Sequence, residues 1–332
     1  MLAHREIAFR RKPHKRVNGV SLVEMMISLL LLSILITTLF YLTNSVNRVN
    51  YSMRLYEELK SGGQNAIRSM DRNVIRGKKF FDRDTPYEDI IPYSELPDPV
   101  SFSKLPSISP TASLNPETSE FDSSIFGNEL FFAKIENGAS FTVESRAYDI
   151  NLYRFVCFYL TKDTTREIRP YNYCLALVKW ESVRYADYLD LEHIWSDSAT
   201  HPLDSIKYTL ENDFGVKYCW DVSESNPNLA FYRIGSMDTP VSIVLGTNSL
   251  MYLVKPINQT IGVSFNKSDS FPVKSDVPGF SSVDNEFPGG LEIAVIGPSS
   301  SRKILIRLVV AGWTRKRVLD FPTMTIVSAP EY

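Results

Sequence analysis

The sequence predicts an α+β protein in which a long membrane-spanning helix continues into an amphipathic helix that packs on a largely antiparallel β-sheet head. Three observations predict this fold. Residues 20–43 form an apolar run, residues 44–80 carry an apolar stripe at helical spacing, and residues 128–332 contain short segments of alternating polarity. Residues 1–19 form a basic leader. Residues 81–127, which are rich in proline and serine, predict a long irregular loop.

The apolar run is long enough to cross a membrane. Its sequence is VSLVEMMISLLLLSILITTLFYLT, and Glu24 is its only acidic or basic residue. At ~1.5 Å per residue, a helix of this length reaches about 36 Å, which exceeds the hydrocarbon core of a bilayer. A secretory signal peptide has a shorter apolar stretch followed by a small-residue cleavage site, and no such site follows here. We therefore expect a single-pass anchor that stays with the protein.

Charge is distributed unevenly along the chain. Residues 1–19 contain six basic residues and one acidic residue, whereas the remainder contains 30 basic and 37 acidic residues. Positive residues favour the cytoplasmic side of a membrane, so the sequence predicts a cytoplasmic N-terminus and an extracytoplasmic head. The acidic remainder argues against nucleic acid as a partner.

The residues around the start of the apolar run form a recognisable pattern. Gly19 is followed by Val20, and Glu24 stands at the fifth position after the glycine. A carboxylate at this depth could simply reach the headgroups. However, the basic leader followed by G-V-S-L-V-E-M-M-I-S-L-L resembles the N-terminal signal of type IV prepilins and pseudopilins.

This resemblance implies a processing pathway and a set of partners. A prepilin peptidase would cleave between Gly19 and Val20, and the new amine of Val20 would be N-methylated. That amine would pair with Glu24 of a neighbouring pilin or pseudopilin in a filament, built by an inner-membrane platform protein and its ATPase. The family usually has phenylalanine where this chain has Val20. The resemblance also implies no cofactor and no enzymatic activity.

Further resemblances concern the subtype. Residues 64–80 (QNAIRSMDRNVIRGKKF) resemble the corresponding helix of larger minor pilins and pseudopilins of the J/W type. Three segments of the head resemble the cyanobacterial pseudopilins of hormogonium polysaccharide secretion: LYRFVCFYL, KWESVRYADYLDLE and CWDVSESNPNLAFYRIG. These likenesses imply a role in secretion, adhesion or motility. The anchor lacks the glycine and proline that are common in major pilins, which favours a minor subunit.

The head is predicted to consist mostly of strands. Gly62-Gly63 is expected to kink or briefly break the amphipathic helix that precedes the head, and residues 185–212 are expected to include short helices. The candidate strands share β-branched and aromatic enrichment and are 129–135, 140–148, 151–161, 172–182, 229–234, 241–246, 250–256, 260–265, 291–297, 303–311 and 323–328.

The three cysteines leave two alternatives open. Cys157 and Cys174 lie at equal distances from a predicted hairpin turn, so they could form a cross-strand disulfide. They could equally be buried free thiols, because an unpaired cysteine packs as a small hydrophobe. Cys219 is expected in the core.

The sequence offers little for catalysis or metal binding. It has four histidines, two of them in the leader, and lacks the common hydrolase, zinc-protease, phosphate-loop and dinucleotide motifs. We therefore expect no enzyme and no metal site. The main alternative to a pilin-like subunit is a signal-anchored, extracytoplasmic carbohydrate-binding or adhesive β-domain, and a tethered enzyme is a third hypothesis.

Overall fold

The computed structural model describes most of the chain after the leader. The described residues are 21–99, 103–110, 125–162, 175–197, 200–226, 230–254, 261–263, 290–313 and 318–329. They belong to two compact units, Met1–Met53 and Arg54–Tyr332.

The first helix, α1, covers Leu22–Val74. In the first unit its large apolar side chains are exposed, including the leucines, isoleucines and methionines of the apolar run. Its most apolar window has a mean hydropathy of 2.4, and by length and composition the helix could cross a membrane. Exposure of so much apolar surface to water is unfavourable, which agrees with a surrounding of lipid or of other helices.

Gly62-Gly63 does not break the helix, because α1 runs through both glycines. Gly63 has a packing role instead. A Cβ atom at this position would lie 3.2 Å from Cδ1 of Phe321 and 3.3 Å from Cγ2 of Val310. The missing side chain therefore lets this part of the helix approach the sheet closely.

Fourteen strands and two more α-helices follow within the described residues. The helices are α2 (Tyr188–Ser196) and α3 (Leu203–Asn212), and a short 3-10 helix covers Ser299–Ser301. The strands are β1 (Gly77–Phe80), β2 (Ile108–Ser109), β3 (Leu130–Val143), β4 (Arg146–Lys162), β5 (Leu175–Ser182), β6 (Tyr185–Asp187), β7 (Tyr218–Trp220), β8 (Phe231–Arg233), β9 (Ser236–Pro240), β10 (Thr247–Val254), β11 (Ile261–Val263), β12 (Leu291–Ile296), β13 (Arg302–Trp313) and β14 (Val318–Ala329).

These strands form one hydrogen-bonded sheet. Its order is β2-β12-β13-β11-β5-β4-β6-β7-β8-β9, with β3 beside β4, β1 beside β3, β10 beside β5 and β14 beside β13. Among the described pairs, β2–β12 and β6–β7 are parallel and the others are antiparallel. The largely antiparallel sheet and the long helix confirm the predicted α+β class.

Hydrophobic clusters lie on both faces of the sheet. On one face, the part of α1 in the second unit buries Leu59, Ile67, Met70 and Val74 against apolar residues of β3, β4, β5, β12 and β13. On the other face, aromatic side chains such as Phe131 pack under the segment after β1 and under β8. A third cluster lies between the β3–β4 hairpin, α2 and α3.

Two predicted segments differ from the structure. The amphipathic helix was predicted to reach residue 80, but α1 ends at Val74 and residues 77–80 form β1. The segment 81–127 was predicted as an irregular loop, yet its described parts bury Ile90, Ile91 and Leu105 and include β2. The high proline content favoured a loop prediction, although the segment also contains apolar residues that pack in the core.

Candidate processing and assembly site at the start of the helix

The start of α1 is fixed by two reciprocal hydrogen bonds between Ser21 and Glu24. The backbone N–H of Ser21 donates to Oε2 of Glu24 at 2.9 Å, and the backbone N–H of Glu24 donates to Oγ of Ser21 at 3.2 Å. The carbonyl oxygen of Ser21 accepts from the N–H of Met25 at 3.0 Å. This arrangement is a capping box, in which two backbone N–H groups without helical partners are satisfied by side chains.

The capping box places a negative charge in the first turn of the helix. A carboxylate there interacts favourably with the positive end of the helix dipole. Its position also matters because Glu24 lies four residues after Val20 in the sequence, and cleavage would expose the amine of Val20. Gly19 and Val20 lie outside the described residues, so of the predicted N-terminal site the structure places Glu24 alone.

Sequence reasoning missed Ser21, although a signal for it was present. Serine followed three residues later by glutamate at the start of an apolar run is the sequence signature of a capping box. The capping role and the assembly role of Glu24 are compatible, because a carboxylate can accept more than one hydrogen bond.

Polar side chains further along the anchor are satisfied within the helix. The hydroxyl groups of Thr37, Thr38 and Thr43 each donate to the carbonyl oxygen four residues earlier, at 2.8 Å. Such bonds matter in hydrocarbon, where no water is present to accept them. These threonines therefore do not prevent the run from spanning a membrane.

The described cysteines are free thiols. Cys157 is buried on β4, where its Sγ donates to Oε1 of Glu129 at 3.2 Å, and its cross-strand partner on β5 is Trp180. Cys219 is also buried and free, as expected for a core residue. Cys174 lies outside the described residues. Within the described residues Cys157 is thus a buried free thiol, and a bridge to Cys174 stays a prediction.

Among the residues that the structure describes, no group of three or more histidine, cysteine, aspartate and glutamate side chains is placed to hold a metal ion. His201 instead shares a hydrogen bond with the hydroxyl of Tyr148, with its Nδ1 at 3.0 Å.

Comparison with known proteins identifies the N-terminal segment. Residues 14–40 match the family model described as the prokaryotic N-terminal methylation motif, a span that includes Gly19, Val20 and Glu24. Comparisons with curated proteins and with solved structures found no match. The motif implies processing by a prepilin peptidase and pilin-type assembly, and the apolar helix suggests a single-pass membrane anchor. The chain therefore carries the N-terminal signal of a type IV pilin-like prepilin.

Proposed function

We propose that the chain is a minor pilin or pseudopilin with a structural, non-enzymatic role. A prepilin peptidase cleaves it between Gly19 and Val20 and the new terminus is methylated. A platform protein and its ATPase then move the subunit from the inner membrane into a type IV pilus or a type II secretion-like pseudopilus. The observation that carries the proposal is Glu24, five positions beyond a cleavable glycine within the matched motif.

Charge pairing explains why assembly needs both the cleavage and the glutamate. An acidic side chain costs about 2.5–3.5 kcal/mol when it is placed centrally in a membrane helix. Cleavage creates a cation on Val20, and methylation preserves that charge. When the amine of one subunit meets Glu24 of its neighbour, two charges that are unfavourable alone in hydrocarbon offset each other and fix the axial register of packing.

The size of the head favours a minor subunit. The second unit, Arg54–Tyr332, contributes most of the chain, and a bulky domain would crowd lateral neighbours in a long helical polymer. A position at or near the tip of a short filament relieves this crowding. The resemblance of three head segments to polysaccharide-secretion pseudopilins supports secretion, adhesion or motility as the process served.

Mass analysis of the N-terminus tests the proposal directly. Protein extracted from membranes of cells with an active prepilin peptidase should begin at Val20 and carry an added methyl group. A control from cells without the peptidase should retain residues 1–19. A chain that keeps its leader in the presence of the peptidase would instead support a signal-anchored carbohydrate-binding or adhesive protein.

Substitution of Glu24 tests the assembly step separately from processing. Glu24→Leu should leave cleavage largely intact, because Gly19 and the basic leader are unchanged, but it should prevent incorporation into sheared filaments. Glu57→Gln provides a matched control, since Glu57 is an exposed carboxylate of the same helix that lies beyond the apolar run. Normal incorporation of Glu24→Leu would remove the charge-pairing argument while leaving the cleavage argument intact.

A further inference from the structure

An ionic cluster lies on the face of the sheet that α1 covers, next to the C-terminal end of that helix. In its first half, Oε2 of Glu136 accepts from Nε of Arg154 at 2.5 Å and from Nε of Arg184 at 2.8 Å. Arg154 also donates through Nη1 to the carbonyl oxygen of Ser182 at 3.2 Å. One carboxylate therefore faces two guanidinium groups.

The second half of the cluster has the same charges, one carboxylate and two cations, but its cations are lysines. Oε1 of Glu181 accepts from Nζ of Lys134 at 2.6 Å and from Nζ of Lys179 at 3.1 Å. Nζ of Lys134 also donates to Oδ1 of Asn73, near the end of α1, at 2.6 Å. Ser249 on β10 donates to the other oxygen of Glu181 at 3.4 Å.

Strand register joins the two halves. Lys134 on β3 lies directly opposite Arg154 on β4, and the next inward position of β4, Val156, lies opposite Glu181 on β5. Two like charges in directly opposed positions are destabilising in a sheet. The cluster as a whole has four cations, Lys134, Arg154, Lys179 and Arg184, against two carboxylates, which leaves a surplus of two positive charges.

Three of the four cationic side chains are largely buried. The side chains of Lys134 and Lys179 are each 11% exposed and that of Arg154 is 10% exposed. Burial lowers the pKa of Lys134, Glu181 raises it, and the nearby charge of Lys179 lowers it further, with a net decrease. Partly buried cations in excess of their counter-charges are unfavourable unless another anion compensates them.

The cluster is open at one side. The side chain of Arg184 is 37% exposed and that of Glu136 is 24% exposed. The contacts of Arg184 within the described residues engage its Nε, and a guanidinium group carries four further N–H donors in a planar fork that matches carboxylate and phosphate oxygens. An oxyanion could therefore enter beside Arg184 and interact with the positive charges behind it.

We propose that this cluster, with Arg184 at its entrance, is a binding site for an oxyanion, the carboxylate or phosphate group of a ligand. Carboxylate and phosphate groups share the same oxyanion chemistry, and a separate probe for each distinguishes them. The site lies on the head and does not depend on the proposed role of the N-terminal segment, so failure of either hypothesis leaves the other intact.

Titration with small anions tests the site on the full-length protein in a neutral detergent. Inorganic phosphate and malonate serve as the two probes, with sodium chloride at matched ionic strength as the reference. Saturable binding by calorimetry is expected for at least one probe, with a Kd of about 1 mM or tighter. The bound anion should also raise the unfolding temperature of the head, because a ligand that binds only the folded state stabilises it.

Variants assign the binding to the cluster. Arg184→Gln should weaken binding roughly tenfold, and Arg184→Lys, which keeps the charge but not the fork, should weaken it less. Lys303→Gln is the matched control, because Lys303 is an exposed cation on β13. Its neighbours Ile304 and Ile306 alternate with it and pack in the core with α1. Absence of saturation with both probes, or equal affinity of wild type and Arg184→Gln, would overturn the proposal.

Discussion

Glu129 is a carboxyl group in the interior of the head, with 1% of its surface exposed. The hydroxyl groups of Tyr93 and Ser103 donate to it at 2.6 and 2.9 Å, and Sγ of Cys157 donates at 3.2 Å. Burial raises its pKa more than these hydrogen bonds lower it, and the nearby Glu88 raises it further. Because Tyr93 and Ser103 lie in the segment between β1 and β3, Glu129 ties that segment to the sheet.

The raised pKa of Glu129 predicts how stability depends on pH. Below the pKa of the unfolded chain, about 4.3, the group is protonated in both states and its contribution to stability is fully present. As pH rises, the unfolded state loses the proton first, so the free energy of unfolding falls until pH passes the folded-state pKa. Glu129→Gln removes this titration, and wild type should lose stability relative to the variant as pH increases from 4 to 8.

Denaturant unfolding followed by tryptophan fluorescence provides the measurement, because Trp180 and Trp220 are buried in the head. Glu95→Gln is the control, since Glu95 is exposed in the same segment. Parallel pH profiles for wild type and Glu129→Gln would show that the carboxyl group does not titrate differently in the two states.

Cys157 provides a second prediction at the residue scale. Its thiol is fully buried, and both burial and the neighbouring Glu129 raise its pKa well above the ordinary value. Because the thiolate is the reactive form, Cys157 should resist maleimide labelling in the native protein and react readily after unfolding without any reductant. Peptide mapping assigns the label, because Cys219 is also a buried free thiol and should react on unfolding. Labelling of Cys157 in the unfolded protein only after reduction would instead indicate the Cys157–Cys174 disulfide.

At the scale of elements, the two adjacent glycines of α1 are expected to respond in opposite ways to the same substitution. A Cβ atom at Gly62 meets nothing within 4 Å, so Gly62→Ala should stabilise the head by about 0.5–1 kcal/mol through helix propensity alone. At Gly63 the new methyl group would contact Phe321 and Val310, which must shift by a few tenths of an ångström.

Gly63→Ala should therefore be less stable than Gly62→Ala by roughly 1 kcal/mol or more, because overpacking costs about that much or more. Thermal unfolding of the two variants under one set of conditions gives the comparison. Equal stabilisation by both substitutions would show that the helix moves freely away from β13 and β14 at this point.

The elements that could be predicted from the sequence are those whose local pattern agrees with their tertiary surroundings. The alternation in ILIRLVV predicted β13, because its inward residues do pack under α1. The β3–β4 hairpin was harder, and the predicted strand 140–148 runs across its turn. Glu144 and Ser145 occupy that turn with φ values of 48° and 68°, a conformation usually signalled by asparagine or glycine.

The predicted strand 241–246 shows a different limit. Its side chains alternate between more buried and exposed positions, as in a strand, and Leu245 is buried. However, residues 241–246 are not assigned to a strand of the sheet. The N–H of Leu245 donates to the carbonyl oxygen of Ile90, and the N–H of Val241 donates to that of Phe231. Sequence periodicity reports which side of the chain is buried, and it does not report which backbone groups are paired.

The N-terminal motif and the ionic cluster differ in how far each could be predicted from local sequence. Gly19, Val20 and Glu24 are close together in the sequence, so a local motif is enough to predict a site there. The ionic cluster combines residues from β3, β4 and β5, and a charged residue within a strand is ordinarily assigned to its solvent face. Only the strand register shows that Lys134 and Arg154 point to the face that α1 covers.

At the scale of the whole molecule, charge and hydrophobicity together predict an orientation in the membrane. The leader has a net charge of +5 and the remainder a net charge of −7, with the apolar run between them. Because the positive-inside bias depends on basic residues near the ends of a membrane helix, the leader should stay in the cytoplasm and the head should be exported. Protease added to spheroplasts should therefore degrade the head.

Variants of the flanking charges make this prediction sharper. Replacing the six basic residues of the leader by glutamine should raise the fraction of heads that survive the protease, because the bias that fixes orientation is lost. Replacing Arg48 and Arg54, which flank the other end of the run, should leave every head accessible, since this change strengthens the bias. Protection of wild-type heads until the membrane is permeabilised would reverse the assigned orientation, and the head could then take no part in an extracytoplasmic filament.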